Sequence, residues 1–162
     1  MKVEVVRSPR RRKTITAERR NGRVVVRLPV GLSRAEERQW VDRMVSRLEE
    51  RERTERLNAR RNLDRSARRL NVEYFGGRLR WESIRYVRNQ RDRYGSCTPE
   101  DATIRISHRV AEYPGWVREY VVMHELAHLE EPTHSVRFWW LVSRYPLAER
   151  ARGFLIAKGW ED

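Results

Sequence analysis

Cysteine, lysine and long apolar runs are scarce in this chain of 162 residues. Cys97 is the single cysteine, so no internal disulfide can form, which agrees with a reducing compartment. The same scarcity rules out a four-cysteine structural zinc site. No stretch approaches the roughly 18 consecutive apolar residues of a membrane-crossing helix, and Met1-Lys2-Val3-Glu4 lacks the apolar core of a signal peptide. A soluble, cytoplasmic protein with no membrane partner is the expectation. Lysine occurs only as Lys2, Lys13 and Lys158. That bias accounts for arginine over lysine but not for a surplus of cations over anions. Internal repeats and low-complexity linkers are also missing.

What the chain does hold is charge. Charged residues make up 36% of it and apolar ones 39%, while six Trp, six Tyr and three Phe argue against disorder. The net charge of +13 is uneven: residues 1–80 carry 24 Lys and Arg against 11 Asp and Glu, whereas residues 81–162 carry 12 of each. A basic front half can attract nucleic acid through long-range, salt-sensitive electrostatics, or can simply be a solvated surface. The length suits one domain over 1–162, with a β-ribbon in 1–32, a basic helical region in 33–75 and a compact core in 78–162.

Taken in order, the first thirty residues read as strands: an apolar run at Val3, Val5 and Val6, alternation from Lys13 to Ala17, and the β-branched Val24-Val25-Val26. Asn21-Gly22 is a hairpin signal, and a three-stranded antiparallel ribbon is predicted, with Arg10-Arg11-Arg12-Lys13 at its first turn. Ser33-Arg34-Ala35-Glu36 fits a capping box opening a helix with an apolar stripe at Trp40, Val41, Met44, Val45 and Leu48. A second apolar series, Leu63, Ala67, Leu70 and Tyr74, predicts two helices or one bent helix broken near Asn58 to Asp64, ending at Gly76-Gly77. Strands are predicted at Ser83–Arg88 and Ala102–Ser107, as an antiparallel pair, with the turn-rich Arg91–Pro99 between them. Pro114-Gly115 opens a helix that Pro132 closes, and further helices follow around Phe138–Val142 and Leu147–Ala157. The fold class expected is α+β.

Three of the four histidines fall in eleven residues, His124-Glu125-Leu126-Ala127-His128-Leu129-Glu130-Glu131-Pro132-Thr133-His134. On a helix, residues four apart share a face, so His124 and His128 can aim at one point. H-E-x-x-H therefore points to one zinc ion, with Glu125 as general base of a metalloprotease acting on a peptide or protein substrate. His134, six residues on and past a helix breaker, is the expected third ligand; Glu149 on a later helix is the alternative. Glu130 and Glu131 are read as solvent-facing or as carboxylates orienting a ligand imidazole. His108 is assigned to packing, and Cys97 to burial as a small apolar residue over a thiolate that blocks the metal. Arg93, Tyr94 and Tyr145 are the side chains considered for stabilising an oxyanion.

Tyr94-Gly95-Ser96-Cys97, then Tyr120-Val121-Val122-Met123 leading into HELAH, then Thr133-His134-Ser135 with Phe138-Trp139, resemble the YgjP-like metallopeptidase family, whose hallmark is RWGSC followed by HELAH and NHS..FW. Order and spacing match over about residues 75–145, and the basic front half with Tyr74-Phe75-Gly76-Gly77 resembles the family too. The resemblance implies a zincin-like α+β domain, one zinc held by His124, His128 and His134, and Glu125 as catalytic acid and base. SprT-like proteases that act on DNA-bound proteins are more distant relatives. Tyr94 and Thr133 depart from the family's usual tryptophan and asparagine, which bears on substrate preference more than on metal binding.

Overall fold

The computed structural model describes residues 2–90 and 92–160. Met1, Arg91, Glu161 and Asp162 lie outside the described residues; the first two belong to the start and the turn segment read above. The chain divides into two compact units, Met1–Arg53 and Thr54–Asp162.

The first unit is a three-stranded sheet, β1 (Val3–Ser8), β2 (Thr16–Arg20) and β3 (Arg23–Pro29), followed by the start of a long helix, α1 (Arg34–Ala59). Asn21 and Gly22 both take positive φ, 48° and 75°, as a two-residue hairpin turn requires. The ribbon is not wholly antiparallel. β2 pairs antiparallel with β3, but β1 pairs parallel on the other side, giving the order β1-β3-β2. Apolarity explains the order: Val24, Val25, Val26 and Leu28 make β3 the most buried strand, so it takes the centre, where both edges are paired. Val24, Val26 and Leu28 pack with Leu48 of α1, flanked by Val5, Ala17, Trp40 and Met44. The capping box forms as expected: the Glu36 amide donates to Ser33 Oγ at 3.3 Å, and the Ser33 amide to the Glu36 carboxylate at 2.8 Å.

The second unit contains α2 (Asn62–Phe75), β4 (Ser83–Val87), β5 (Gly95–Thr98), β6 (Thr103–Ser107), a 3-10 turn over His108–Glu112, then α3 (Gly115–His128), α4 (Val136–Ser143) and α5 (Ala148–Ala157). The break between α1 and α2 falls where expected, at Arg61, which takes φ 51°. α2 stops at Gly76 and Gly77, φ 60° and 70°, where the Gly77 amide returns to the Asn71 carbonyl at 2.9 Å. The expected antiparallel pair is corrected. β4 and β6 run parallel, and the turn-rich segment itself contributes β5, antiparallel to β6, so the order is β4-β6-β5. Parallel pairing became possible because β5 and its turns carry the chain back between them. The outer edge of β4 is capped by Asn58, whose amide exchanges hydrogen bonds with the Tyr86 backbone at 2.7 and 3.0 Å.

α3 is the centre of this unit. It packs against α2, α4, α5, β5 and β6, so Tyr120 to Ala127 are buried without interruption. Its apolar residues meet Leu70 and Phe75 of α2, Ile104 and Ile106 of β6, Phe138 and Leu141 of α4, and Leu155 of α5 in one core. Among the described residues no helix is long and apolar enough to cross a membrane.

Candidate metal centre

The last turn of α3 and the loop to α4 bring the three histidines together. His124 Nε2 lies 3.2 Å from His134 Nε2, which lies 3.1 Å from His128 Nε2. These ring nitrogens form a group able to hold one metal ion. The sequence builds it locally. His124 and His128 sit one turn apart, α3 ends at His128, and Ser135 caps α4 by accepting from the Phe138 amide at 3.2 Å, which leaves His134 just ahead of the cap.

Orientation comes from two sources. His128 Nδ1 lies 3.1 Å from the Glu131 carbonyl, which sets that nitrogen as donor and leaves Nε2 with its lone pair. The orienting group is thus a backbone carbonyl, not the Glu131 carboxylate, which accepts from Thr133 at 3.3 Å. Phe138 of α4 packs on all three imidazoles: it stacks on His128 at 4.4 Å with an interplanar angle of 25° and meets His134 at 4.7 Å and His124 at 4.8 Å. Trp139 covers His134 from the same helix, with ring centroids 5.4 Å apart. Burial, then the neighbouring imidazoles, hold the His124 ring well below its ordinary pKa, and burial lowers that of His128 against the opposing hydrogen bond to the Glu131 carbonyl. Neutral imidazole is the ligand form.

Glu125, one residue along from His124, is 4% exposed. Burial pushes its carboxyl up to about 8, against which the charge of Arg93 acts in part. Its Oε2 has no hydrogen-bond partner among the described residues, and the same is true of His124 Nδ1. A buried carboxyl without a partner is costly to a fold, which suggests a role outside packing. Gly95 of β5 is why it fits. A Cβ built there would stand 2.7 Å from Glu125 Cδ and 2.8 Å from Cγ, closer than side chains tolerate. The histidines and Glu125 open into one cavity of about 440 Å3, bordered by Arg93 to Cys97 and by Trp160, whose ring lies 5.8 Å from that of His124.

The remaining expected residues fall on either side of this cavity. Arg93 and Tyr94 border it, with the Tyr94 hydroxyl donating to the Lys158 carbonyl at 3.0 Å. Tyr145 does not: its hydroxyl is engaged with the Trp116 carbonyl and Glu119 at 3.1 and 3.2 Å. Glu149 lies in the first turn of α5, away from the histidines. Glu130 is held by Arg78 and Arg137 at 2.5 and 2.8 Å and orients no imidazole. His108 packs with Nδ1 3.3 Å from the Val87 carbonyl. Cys97 is half-buried at the cavity wall, and burial, with the charges of Glu125 and Glu100, pushes its thiol up to about 12, which keeps it protonated at neutral pH. Two residues with a direct bearing on the site, Gly95 and Phe138, stand out in the sequence only as parts of a turn and of an apolar helix face. Both sit in the quoted YGSC and FW segments, which was the available signal.

Among curated proteins, none matches this chain. Among solved structures, the chain is similar to the metallopeptidase zymogen abylysin of Pyrococcus abyssi, with a TM-score of 0.51 and 21% identity over 59% of this chain and 93% of that one, a likeness of fold. The family description "YgjP-like, metallopeptidase domain" matches residues 55–155, which begins where the second compact unit begins and takes in α2 through nearly all of α5. By that match the chain belongs to the YgjP-like metallopeptidase family.

Proposed function

We propose that this metallopeptidase is zinc-dependent and hydrolyses peptide bonds with Glu125 as general base and His124, His128 and His134 as the metal ligands. One observation carries the reading: a buried, unpartnered carboxyl shares a cavity with three convergent Nε2 atoms. Separations of 3.1 and 3.2 Å are close to the ~3.4 Å edge of a tetrahedron with metal–nitrogen bonds of about 2.1 Å, the geometry zinc prefers. An all-imidazole donor set also suits zinc better than magnesium or calcium, which take oxygen ligands.

When bound, zinc would acidify a water to a pKa of about 7 and polarise the scissile carbonyl. The residues of the chain do the rest. Glu125 accepts a proton at its unpartnered Oε2 and returns it to the leaving amine. Arg93, at the rim and near enough to act on Glu125, supplies positive charge for the oxygen that becomes anionic. β5 is the outer strand of its sheet and borders the cavity, so an extended peptide can add along it. The zinc-to-chain ratio is one.

A Glu125→Gln variant keeps one zinc per chain and loses at least about 1,000-fold in peptide hydrolysis. Cleavage at the parental rate would end the proposal. Elemental analysis of His134→Ala checks the ligand set separately, since zinc should fall well below one per chain. A second reading, a nucleic-acid-binding protein that does not hydrolyse peptides, is favoured only by the cationic surplus of the first 80 residues. It would be supported by salt-sensitive binding that ignores chelation, with no proteolysis in the zinc-loaded protein. Both behaviours together would describe a peptidase acting on nucleic-acid-bound proteins.

A further inference from the structure

The face of the first sheet turned away from α1 is built for anions. Strand alternation sends Val5, Ala17, Val24, Val26 and Leu28 into the core under α1. The opposite side therefore carries Glu4, Glu18, Arg20, Arg23, Val25 and Arg27, and several of these line one depression of about 490 Å3. Arg20 and Arg23 face each other directly across the hairpin, on either side of the Asn21-Gly22 turn, and both are exposed. Like charges in directly opposed positions destabilise a strand pair. No carboxylate forms an ion pair with either among the described residues; Glu18, two residues from Arg20 on β2, is taken by Arg27 at 2.8 Å, and Glu4, across from Val25 on β1, is the one acid lining the depression.

Further cations surround that carboxylate. Arg11 reaches Thr16 Oγ1, beside Arg27 in the register, at 3.2 Å. The Glu18 carboxyl is held below its ordinary range first by Arg27, with Arg20 and Arg11 adding to the effect. Over residues 1–53 there are 16 Lys and Arg against 8 Asp and Glu, so the surplus is a property of the whole unit. The cations run lengthwise. Arg23 and Arg27 are four residues apart on β3, about 13 Å, and the loop with Arg10, Arg12 and Lys13 continues past that end. A duplex of that length presents about eight phosphate charges.

We propose that this open sheet face, centred on Arg20 and Arg23, docks on the phosphate backbone of a nucleic-acid duplex. Guanidinium forks match phosphate oxygens bidentately. Single-strand platforms stack bases on aromatic side chains, and this face has none, so backbone contact with a duplex is the mode that fits. Binding is then independent of sequence and lies outside the metal centre.

The test is fluorescence anisotropy of the zinc-loaded full chain with a labelled 20-base-pair DNA duplex over a range of salt. The parent should bind with log K falling linearly in log salt, at a slope of about −3 to −4. Arg20→Glu with Arg23→Glu should weaken binding at least tenfold and flatten that slope by about 2. If the double Glu variant does not fold, Arg20→Gln with Arg23→Gln serves, with a smaller loss expected. Glu125→Gln should bind DNA like the parent, which separates this proposal from the peptidase reading. Parental affinity in both double variants, no duplex binding at low salt, or tighter binding to a 20-nucleotide single strand or to anionic phospholipid vesicles would each overturn it.

Discussion

The two sheets share one topology and differ in what covers them. In β1-β3-β2 and in β4-β6-β5 alike, the third strand in sequence takes the centre, the first pairs parallel with it and the second antiparallel. In each the central strand carries the most buried residues, Val24, Val26 and Leu28 in one and Ile104 and Ile106 in the other. The second sheet is bedded on α3 within a core that also draws on α2, α4 and α5. The first has a small core under α1 and an opposite face where arginines meet water. Burial sets Gly95 of the second sheet against Glu125. Exposure makes the first a charged surface. Strand order does not assign a role; the layer laid against the sheet does.

Substitutions sharpen this contrast by unequal amounts. The largest effect should come at Phe138, which is fully buried and touches all three imidazoles. Phe138→Ala should cost about 3–5 kcal/mol in chemical denaturation and loosen metal binding in a chelator competition. Unchanged metal affinity would mean that the ring only fills the core. Gly95→Ala should then lower kcat by about 100-fold with the metal retained, because the new methyl displaces the Glu125 carboxyl. A variant that turns over normally would show that β5 does not position the Glu125 carboxyl for the reaction.

The third prediction concerns pH in the metal-free protein. The folded Glu125 carboxyl titrates near 8, above the 4.5 of an exposed glutamate, so between those values the folded state binds the proton and the unfolded chain releases it. Its contribution to stability is full below pH 4.5, declines as pH rises and is lost above 8. Metal-free Glu125→Gln should therefore melt near the parent at pH 4.5 and be more stable at pH 8, by roughly 4 kcal/mol. A gap independent of pH would contradict the burial argument. The smallest effect belongs to the first unit, where Ser33→Ala removes the cap from α1 and should cost about 1 kcal/mol in denaturant unfolding, leaving peptidase activity unchanged.

Much of the fold was legible along the chain because it is coded locally. The Ser33–Glu36 box, the Asn21-Gly22 turn, the Gly76-Gly77 stop and the helix carrying His124 and His128 each depend on residues within a few positions of one another. Strand direction was not legible. Alternation marks which residues face inward but is the same for parallel and antiparallel partners, so both sheets were read as antiparallel where each is mixed. β5 was hidden for a related reason, since Gly95-Ser96-Cys97-Thr98 has turn composition and is extended only because β6 pairs with it.

The sequence by itself determined that three histidines can converge, because a helix places positions four apart on one face and a proline past its end returns the chain to bring in His134. It also determined where the positive charge lies along the chain. Only the tertiary structure decided what surrounds that chemistry. The strand abutting Glu125, the ring packed under the imidazoles, the removal of Tyr145 and Glu149 from the cavity and the side of the first sheet left open all depend on packing between residues distant in sequence. Such contacts leave no period or spacing in the chain, since they are fixed by the close packing of whole elements against one another.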